Sequence, residues 1–238
     1  MRKINEADQS VKTIIRLDST SLDEIEVGSE DFLIGSGVTM DQIISHPDLG
    51  FLRNVARSIG GPAIRCAATI GGNLFASNPY GDFSCALMAL KARINFAGSD
   101  VSNVTIDEFM ENRDDFRKHI ITSISLKRLQ DVRDFSFLKV TRTKPKGISL
   151  ITIAINVTRS SGQIKSPRIV YGNMLEKTPT RDEAVEKILE GKWLSEDLID
   201  KAVASALDGI NPLTDSLASD WYRRKITPVY LKRILKEQ

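Results

Sequence analysis

The chain has 238 residues, 41% hydrophobic and 27% charged, a balance that suits a globular protein able to bury one large core or two small ones. Its 33 basic and 31 acidic residues leave a formal charge of +2, which gives no ground for a general affinity for nucleic acid or anionic membranes. Two cysteines, Cys66 and Cys85, cannot supply the thiolates of an iron–sulfur cluster, and so few thiols fit a reduced, intracellular setting.

The opening MRKINEADQS holds no apolar core for a signal peptide. TIIRLD (13–18) and EVGSEDFLIGSG (26–37) alternate apolar and polar residues and read as strands. Thr39 opens a helix, with Gln42 as its capping-box partner. FLRNVARSIG (51–60) repeats apolar residues at helical spacing and stops at Gly60-Gly61-Pro62. After the stretch ATIGGNLFASNPYGDF (68–83), SCALMALKARINFAG reads as a helix giving way to a strand, and IITSISLK brings another. The polar LQDVRD marks a linker near residue 130. Beyond it come two strands separated by a basic turn around Pro145, and then a third strand, RIVYGN (168–173). The run ISLITIAINV within the second of these is too short to span a bilayer and reads as a buried strand. Thr180 and Glu183 form a capping box for DEAVEKILE. Ser195 caps EDLIDKAVASALDG, whose Leu198, Ile199, Ala202, Val203, Ala206 and Leu207 make one apolar stripe. The layout is a domain over 1–128, a linker, and a second domain over 133–238.

His46 and His119 stand in no metal-ligand spacing, and no nucleophile elbow or Walker-type loop occurs. The pair Gly71-Gly72 admits two readings, a tight turn or a cradle for a phosphate-bearing ligand. In the second, glycines remove the steric barrier to a diphosphate approaching the main-chain amides. Thr69 and Asn73 add side-chain donors, Asp82 offers an acceptor for sugar or polyol hydroxyls, and Phe75 a surface for a flat heterocycle. The basic cluster KVTRTKPK (139–146) reads as a solvated turn or, through Lys139 and Arg142, as a contact for an anion.

The run SIGGPAIRCAATIGGNLFASNPYGDFSCALMALKARINFAG resembles, element by element, the FAD-binding subunit of the molybdenum hydroxylases, the family of the xanthine dehydrogenases and of the carbon monoxide dehydrogenase medium subunit. Ile64-Arg65, Ala68 to Asn73, Asp82 and Leu87 to Ala92 carry the likeness. FLKVTRTKPKGISLITIAI and the C-terminal YGNMLEKTPTRDEAVEKILEGK and DSLASDWYRRKITPVYLKRIL extend it, with Asp215, Ser219, Tyr222, Arg223 and Arg224 in place. The resemblance implies an α+β fold: a truncated two-lobed FAD-binding domain of the PCMH or vanillyl-alcohol-oxidase type, its N-terminal lobe missing, followed by a small domain with a three-stranded antiparallel sheet and helices. It implies that Thr69, Gly71, Gly72 and Asn73 hold the FAD diphosphate, with Ile70 also among the cofactor-binding residues, and that Asp82 bonds ribityl or ribose hydroxyls. Phe75 and Ile121 then lie by the flavin ring, Ile59 and Gly60 border the adenine, and Lys139 stands near the flavin's polar edge. Arg65 anchors the loop. Where the family often has a basic residue, this chain has Ala67.

The family's flavin domain ordinarily opens with a βαβ unit bearing another glycine loop, and MRKINEADQSVKTIIRLDSTSLDEIEV resembles the segment immediately C-terminal to that loop. Three accounts are open: a start placed late or a trimmed chain, a first lobe supplied by a separate chain, or a lost half-site. The implied activity is that of a cytoplasmic oxidoreductase subunit that passes electrons from iron–sulfur clusters through FAD to NAD, oxygen or a quinone. Its implied partners are an iron–sulfur subunit and a molybdopterin-binding subunit, in a dimer of heterotrimers without nucleic acid or membrane. The alternative is a flavin-free scaffold in the same kind of complex.

Overall fold

Alternating apolar residues fold back on themselves at Gly28 to form β1 (Ile25–Val27) and β2 (Asp31–Gly35). They belong to a computed structural model that describes residues 21–77, 79–98, 103–143, 147–175 and 179–238. The strand expected at 13–18 lies outside the described residues. Thr39 caps α1 (Met40–Ser45) in the expected box, its hydroxyl accepting from the Gln42 amide while the Gln42 side chain accepts from the Thr39 amide. A 3-10 turn over Pro47–Leu52 leads into α2 (Arg53–Arg57), and α3 (Pro62–Arg65) and α4 (Ile70–Leu74) come next. Gly60 makes the reversal between α2 and α3 at φ +49, a conformation that glycine adopts without a Cβ clash.

Helix α5 (Asp82–Ala89) is buried at every residue, as its all-round apolar sequence requires. Beyond it lie β3 (Arg93–Phe96), β4 (Asn103–Thr105), α6 (Ile106–Glu111) and β5 (Ile121–Lys127). The five strands form one antiparallel sheet in the order β1-β2-β5-β3-β4. Helix α6, capped by Thr105, is an element that the apolar periodicity had not disclosed.

The second sheet is built from β6 (Phe135–Thr141), β7 (Ser149–Asn156), β10 (Arg168–Gly172) and β11 (Thr180–Arg181), in the order β11-β10-β7-β6. A hairpin of β8 (Arg159–Ser160) and β9 (Gln163–Ile164) stands apart. The three expected antiparallel strands are present, and the two-residue β11 extends their edge. One face of this sheet, with Ala154 and Val170, joins the first core against α5. The other, with Ile151, Ile153, Ile155 and Tyr171, packs on α7 (Glu183–Leu189), α8 (Glu196–Ala204) and α9 (Asp220–Lys236). Burial on both faces explains why β7 is an unbroken apolar run rather than an alternating one.

The cap of α7 differs from expectation. Thr180 is drawn into the ladder opposite Tyr171, and Asp182 caps the helix instead, accepting from the Val185 amide. Its other oxygen accepts from the Leu207 amide at 2.9 Å. Ser195 caps α8 as expected, and Ile199 and Ala202 of its stripe are buried. Among the described residues no helix is long and apolar enough to cross a membrane.

Candidate functional site

The chain between Ala68 and Gly71 runs antiparallel to Ser36–Met40, joined by a bridge between Thr39 and Thr69. Met40 donates to the Ala68 carbonyl, Ile70 to the Val38 carbonyl, and Gly71 to the Ser36 carbonyl. Thr69 then caps α4 by accepting from the Gly72 amide at 3.0 Å, and Asn73 donates to the Thr69 carbonyl. The amides read from sequence as bared by the glycines are therefore all engaged within the protein.

The two glycines have different duties. A Cβ on Gly71 would stand 2.8 Å from the Ser36 carbonyl oxygen and from its Cβ, so this glycine permits two backbones to pack. Among the described residues a Cβ on Gly72 would meet only the Thr69 hydroxyl, at 3.0 Å, before entering open space. That space is a cleft of about 550 Å³, within the usual size of small-molecule sites. Thr69, Gly71, Gly72, Phe75 and Ile121 line it, as do Leu22, Asp23, Ser36, Gly37, His119 and Ile120, which sequence reasoning missed. In the sequence His119 is notable only for standing in no metal-ligand spacing with His46. Its position just before the apolar run of β5 was the available signal, since the same strand start delivers Ile121 to the cleft.

Phe75 closes one wall and packs edge-on against Phe109, with ring centroids 5.4 Å apart. His119 is set edge-on to Phe96 and Phe116. Among the described residues that line the cleft, Asp23 and His119 are the titratable ones. Ile70 and Asn73 point away from it. Ile70 is fully buried, and the Asn73 side chain reaches back to the Tyr80 carbonyl at 3.5 Å, its Oδ1 buried without a partner among the described residues.

The remaining predicted residues meet in a second cluster. Asp82, at the start of α5, is 3% exposed and pairs with Lys139 on β6, Nζ to Oδ2, at 2.8 Å. Its Oδ1 accepts from the hydroxyls of Ser149, at 2.7 Å, and Thr152. Lys139 also donates to the Ser58 carbonyl at 3.0 Å, which draws the turn at Ile59 and Gly60 to the same place. Arg65 donates to the Gly60 carbonyl at 3.0 Å and so anchors that turn. Nearby Cys85 is buried, and burial together with the Asp82 charge pushes its thiol well above the ordinary range. Arg142 is exposed.

The structure therefore joins five of the predicted residues in the cleft and four around the Asp82–Lys139 pair, with Ile70 and Asn73 buried between them. The cleft suits a ligand with both a flat apolar part and hydroxyl or amide groups: Phe75, Ile120 and Ile121 supply apolar surface, and Thr69, Ser36 and Asp23 polar contacts. The space above Gly72, which any side chain would fill, is the feature that fits a cofactor drawn close to the main chain.

A family model described as the FAD binding domain in molybdopterin dehydrogenase matches residues 1–126, and one described as the CO dehydrogenase flavoprotein C-terminal domain matches 136–238. The chain is 28% identical to the glyceraldehyde dehydrogenase medium chain of Sulfolobus acidocaldarius, over 78% of its own length and 66% of that protein's. It is 25% identical to the carbon monoxide dehydrogenase medium chain of Afipia carboxidovorans, over 87% and 74% of the two lengths. It therefore spans about two thirds to three quarters of the length of these relatives. Among solved structures, carbon monoxide dehydrogenase from Hydrogenophaga pseudoflava superposes with a TM-score of 0.79 at 22% identity, covering 91% of this chain and 77% of that one. Quinoline 2-oxidoreductase from Pseudomonas putida shares the fold equally well, at a TM-score of 0.79 and 21% identity, with 93% and 79% covered.

Proposed function

Since the chain belongs to the family of FAD-binding domains of molybdopterin dehydrogenases, we propose that it is the FAD-binding, electron-transferring subunit of a multi-subunit oxidoreductase of the molybdenum hydroxylase type. The flavin, when bound, supplies the redox chemistry, and the chain supplies position and electrostatics. The single observation that carries this reading is Gly72, bare toward the cleft on a loop that the family match covers. On this reading Thr69, Gly71 and Gly72 form the floor against which the cofactor's phosphate and sugar portion lies. Phe75 and Ile121 give apolar cover. Lys139 lends positive charge, tempered by Asp82, and Ile59 and Gly60 shape the approach to Lys139. Ile70 and Asn73 hold the loop from behind. Residues 1–128 form the flavin unit and 133–238 the C-terminal unit. Electrons reach the flavin from an iron–sulfur partner and leave to NAD, oxygen or a quinone, while a molybdopterin-binding partner acts on the organic substrate.

One observation favours a second reading, a flavin-free scaffold: the amides of Ile70 to Asn73 are already bonded internally. Absorbance spectra with and without added FAD separate the two. A flavin band that persists through gel filtration, and is lost in Gly72→Arg, supports the first. Colourless protein that docks on an iron–sulfur partner, and does so unchanged in Gly72→Arg, supports the second.

A further inference from the structure

Strands β6 and β7 pair in a constant register from Phe135–Asn156 to Val140–Ile151, but Thr141 pairs with Ser149, so Leu150 is one extra residue. Such a bulge re-aims the side chains beyond it. In an unbroken strand Ser149, three residues before Thr152, would face the opposite side. The bulge turns Ser149 onto the face that carries Thr152 and Thr152's cross-strand neighbour Lys139. Both hydroxyls, fully buried, thereby reach the same oxygen of Asp82, whose other oxygen holds Lys139.

The bulge is itself held. Its carbonyl, Leu150, accepts from Nε of Arg223 on α9 at 3.1 Å. Arg223 is wholly buried, and its remaining nitrogens bond to the carbonyls of Leu213 and Ala218 and to the Asp215 carboxylate. An unbroken line of contacts thus runs from the C-terminal helix through Leu150 and Ser149 to Asp82 and Lys139.

We infer that Ser149, turned inward by the Leu150 bulge that Arg223 braces, is a positioning residue that sets how strongly Asp82 holds Lys139, and through that pair the affinity and redox potential of the flavin. The inference rests on the flavin reading of the site. The physical reason is a competition for one carboxylate. Hydroxyl donors on Oδ1 take up part of its negative charge, and whatever they do not take is left to neutralise Lys139. With Ser149 in place Lys139, whose side chain is 16% exposed, keeps more of its field for a ligand. Without it, Asp82 binds the ammonium harder and less positive charge is presented, which disfavours a reduced, anionic flavin.

The test has an arm that needs no flavin. In a double-mutant cycle of Ser149→Ala and Lys139→Met, read by denaturant unfolding of the full chain, the two losses are expected to be non-additive, because both act on Asp82. Additive losses would overturn the inference, whatever the flavin does. In the second arm, Ser149→Ala and, separately, the isosteric Thr152→Val are loaded with FAD. Each should weaken FAD binding about tenfold and shift the flavin midpoint potential to more negative values, with the melting transition still cooperative. Flavin-loaded Ser149→Ala with affinity and potential unchanged would overturn it too. If the unmodified chain takes up no FAD, the flavin reading fails and the cycle alone decides the link between Ser149 and Lys139.

Discussion

The amide of Gly71 donates to the carbonyl of Ser36 at 2.9 Å, whereas the next residue, Gly72, turns its Cα to the cleft. Two adjacent glycines thus answer two separate demands, close backbone packing and an open ligand surface.

That division predicts opposite outcomes for the same substitution. Gly71→Ala drives a methyl group into Ser36 and is expected to destabilise the fold by about 1–3 kcal/mol, the ordinary cost of overpacking. Gly72→Ala lies within α4 and among the described residues meets only the Thr69 hydroxyl, so its melting temperature should stay close to that of the parent, while FAD affinity falls. Thermal melts beside FAD titrations of both variants check this. A destabilised Gly72→Ala, or a Gly71→Ala that melts like the parent, would contradict the assignment.

What could be read from the sequence tracked the range of the interactions. The Thr39–Gln42 box and the Ser195 cap were legible because they close within one helical turn. The helix α5 and strand β7 were legible because burial on all sides needs unbroken apolar runs. The glycine pair was found, but its amides were taken as free, since nothing local shows that Ser36 and Val38 come alongside. Likewise the Thr180 cap was lost to Asp182 because Tyr171 claims Thr180 for the ladder. Asp82 was read as an acceptor for sugar or polyol hydroxyls, whereas its partners in the fold, Lys139, Ser149 and Thr152, are brought to it by the second sheet, and a one-residue bulge decides which way Ser149 points. No pattern along the chain encodes that.

Removing the Asp82 carboxylate leaves the partly buried Lys139 and the buried hydroxyls of Ser149 and Thr152 without their shared acceptor. Asp82→Ala should therefore cost about 3–5 kcal/mol in chemical denaturation, the usual penalty for breaking a buried ion pair from one side. Because Lys139 also ties β6 to Ser58, the loss should come with faster hydrogen exchange around Ile59 and Gly60. A variant as stable as the parent would show that the pair does not lock α5 to the second sheet.

The two thiols should behave as two populations. Cys66 is exposed at the end of α3, whereas Cys85 is fully buried in α5, donates to the Val170 carbonyl, and has its thiolate disfavoured by burial and by Asp82. Native protein is expected to react with a thiol-specific disulfide reagent at Cys66 alone, and both cysteines should react after unfolding. Rapid modification of Cys85 in folded protein would mean that the interface of α5 with the second sheet opens readily.

Acid should act on the second domain through Asp215. Burial works against its charge, but the amide of Ala218, the Arg223 guanidinium and the amide of Leu217 together outweigh it, and the carboxyl lies below the usual carboxylate range. A carboxylate held low in the folded state stabilises it above its unfolded pKa of about 3.9, and that contribution fades as pH falls through the lower folded value. The parent chain should thus lose more stability than Asp215→Asn as pH falls from about 5 through the unfolded pKa of about 3.9 to below the lower folded value, where the two converge. Because Arg223 also braces Leu150, protonation of Asp215 should loosen the C-terminal helix before the first sheet, which hydrogen exchange can resolve by segment. Parallel pH profiles for parent and variant would remove Asp215 from the acid response and leave Arg223 held by carbonyls alone.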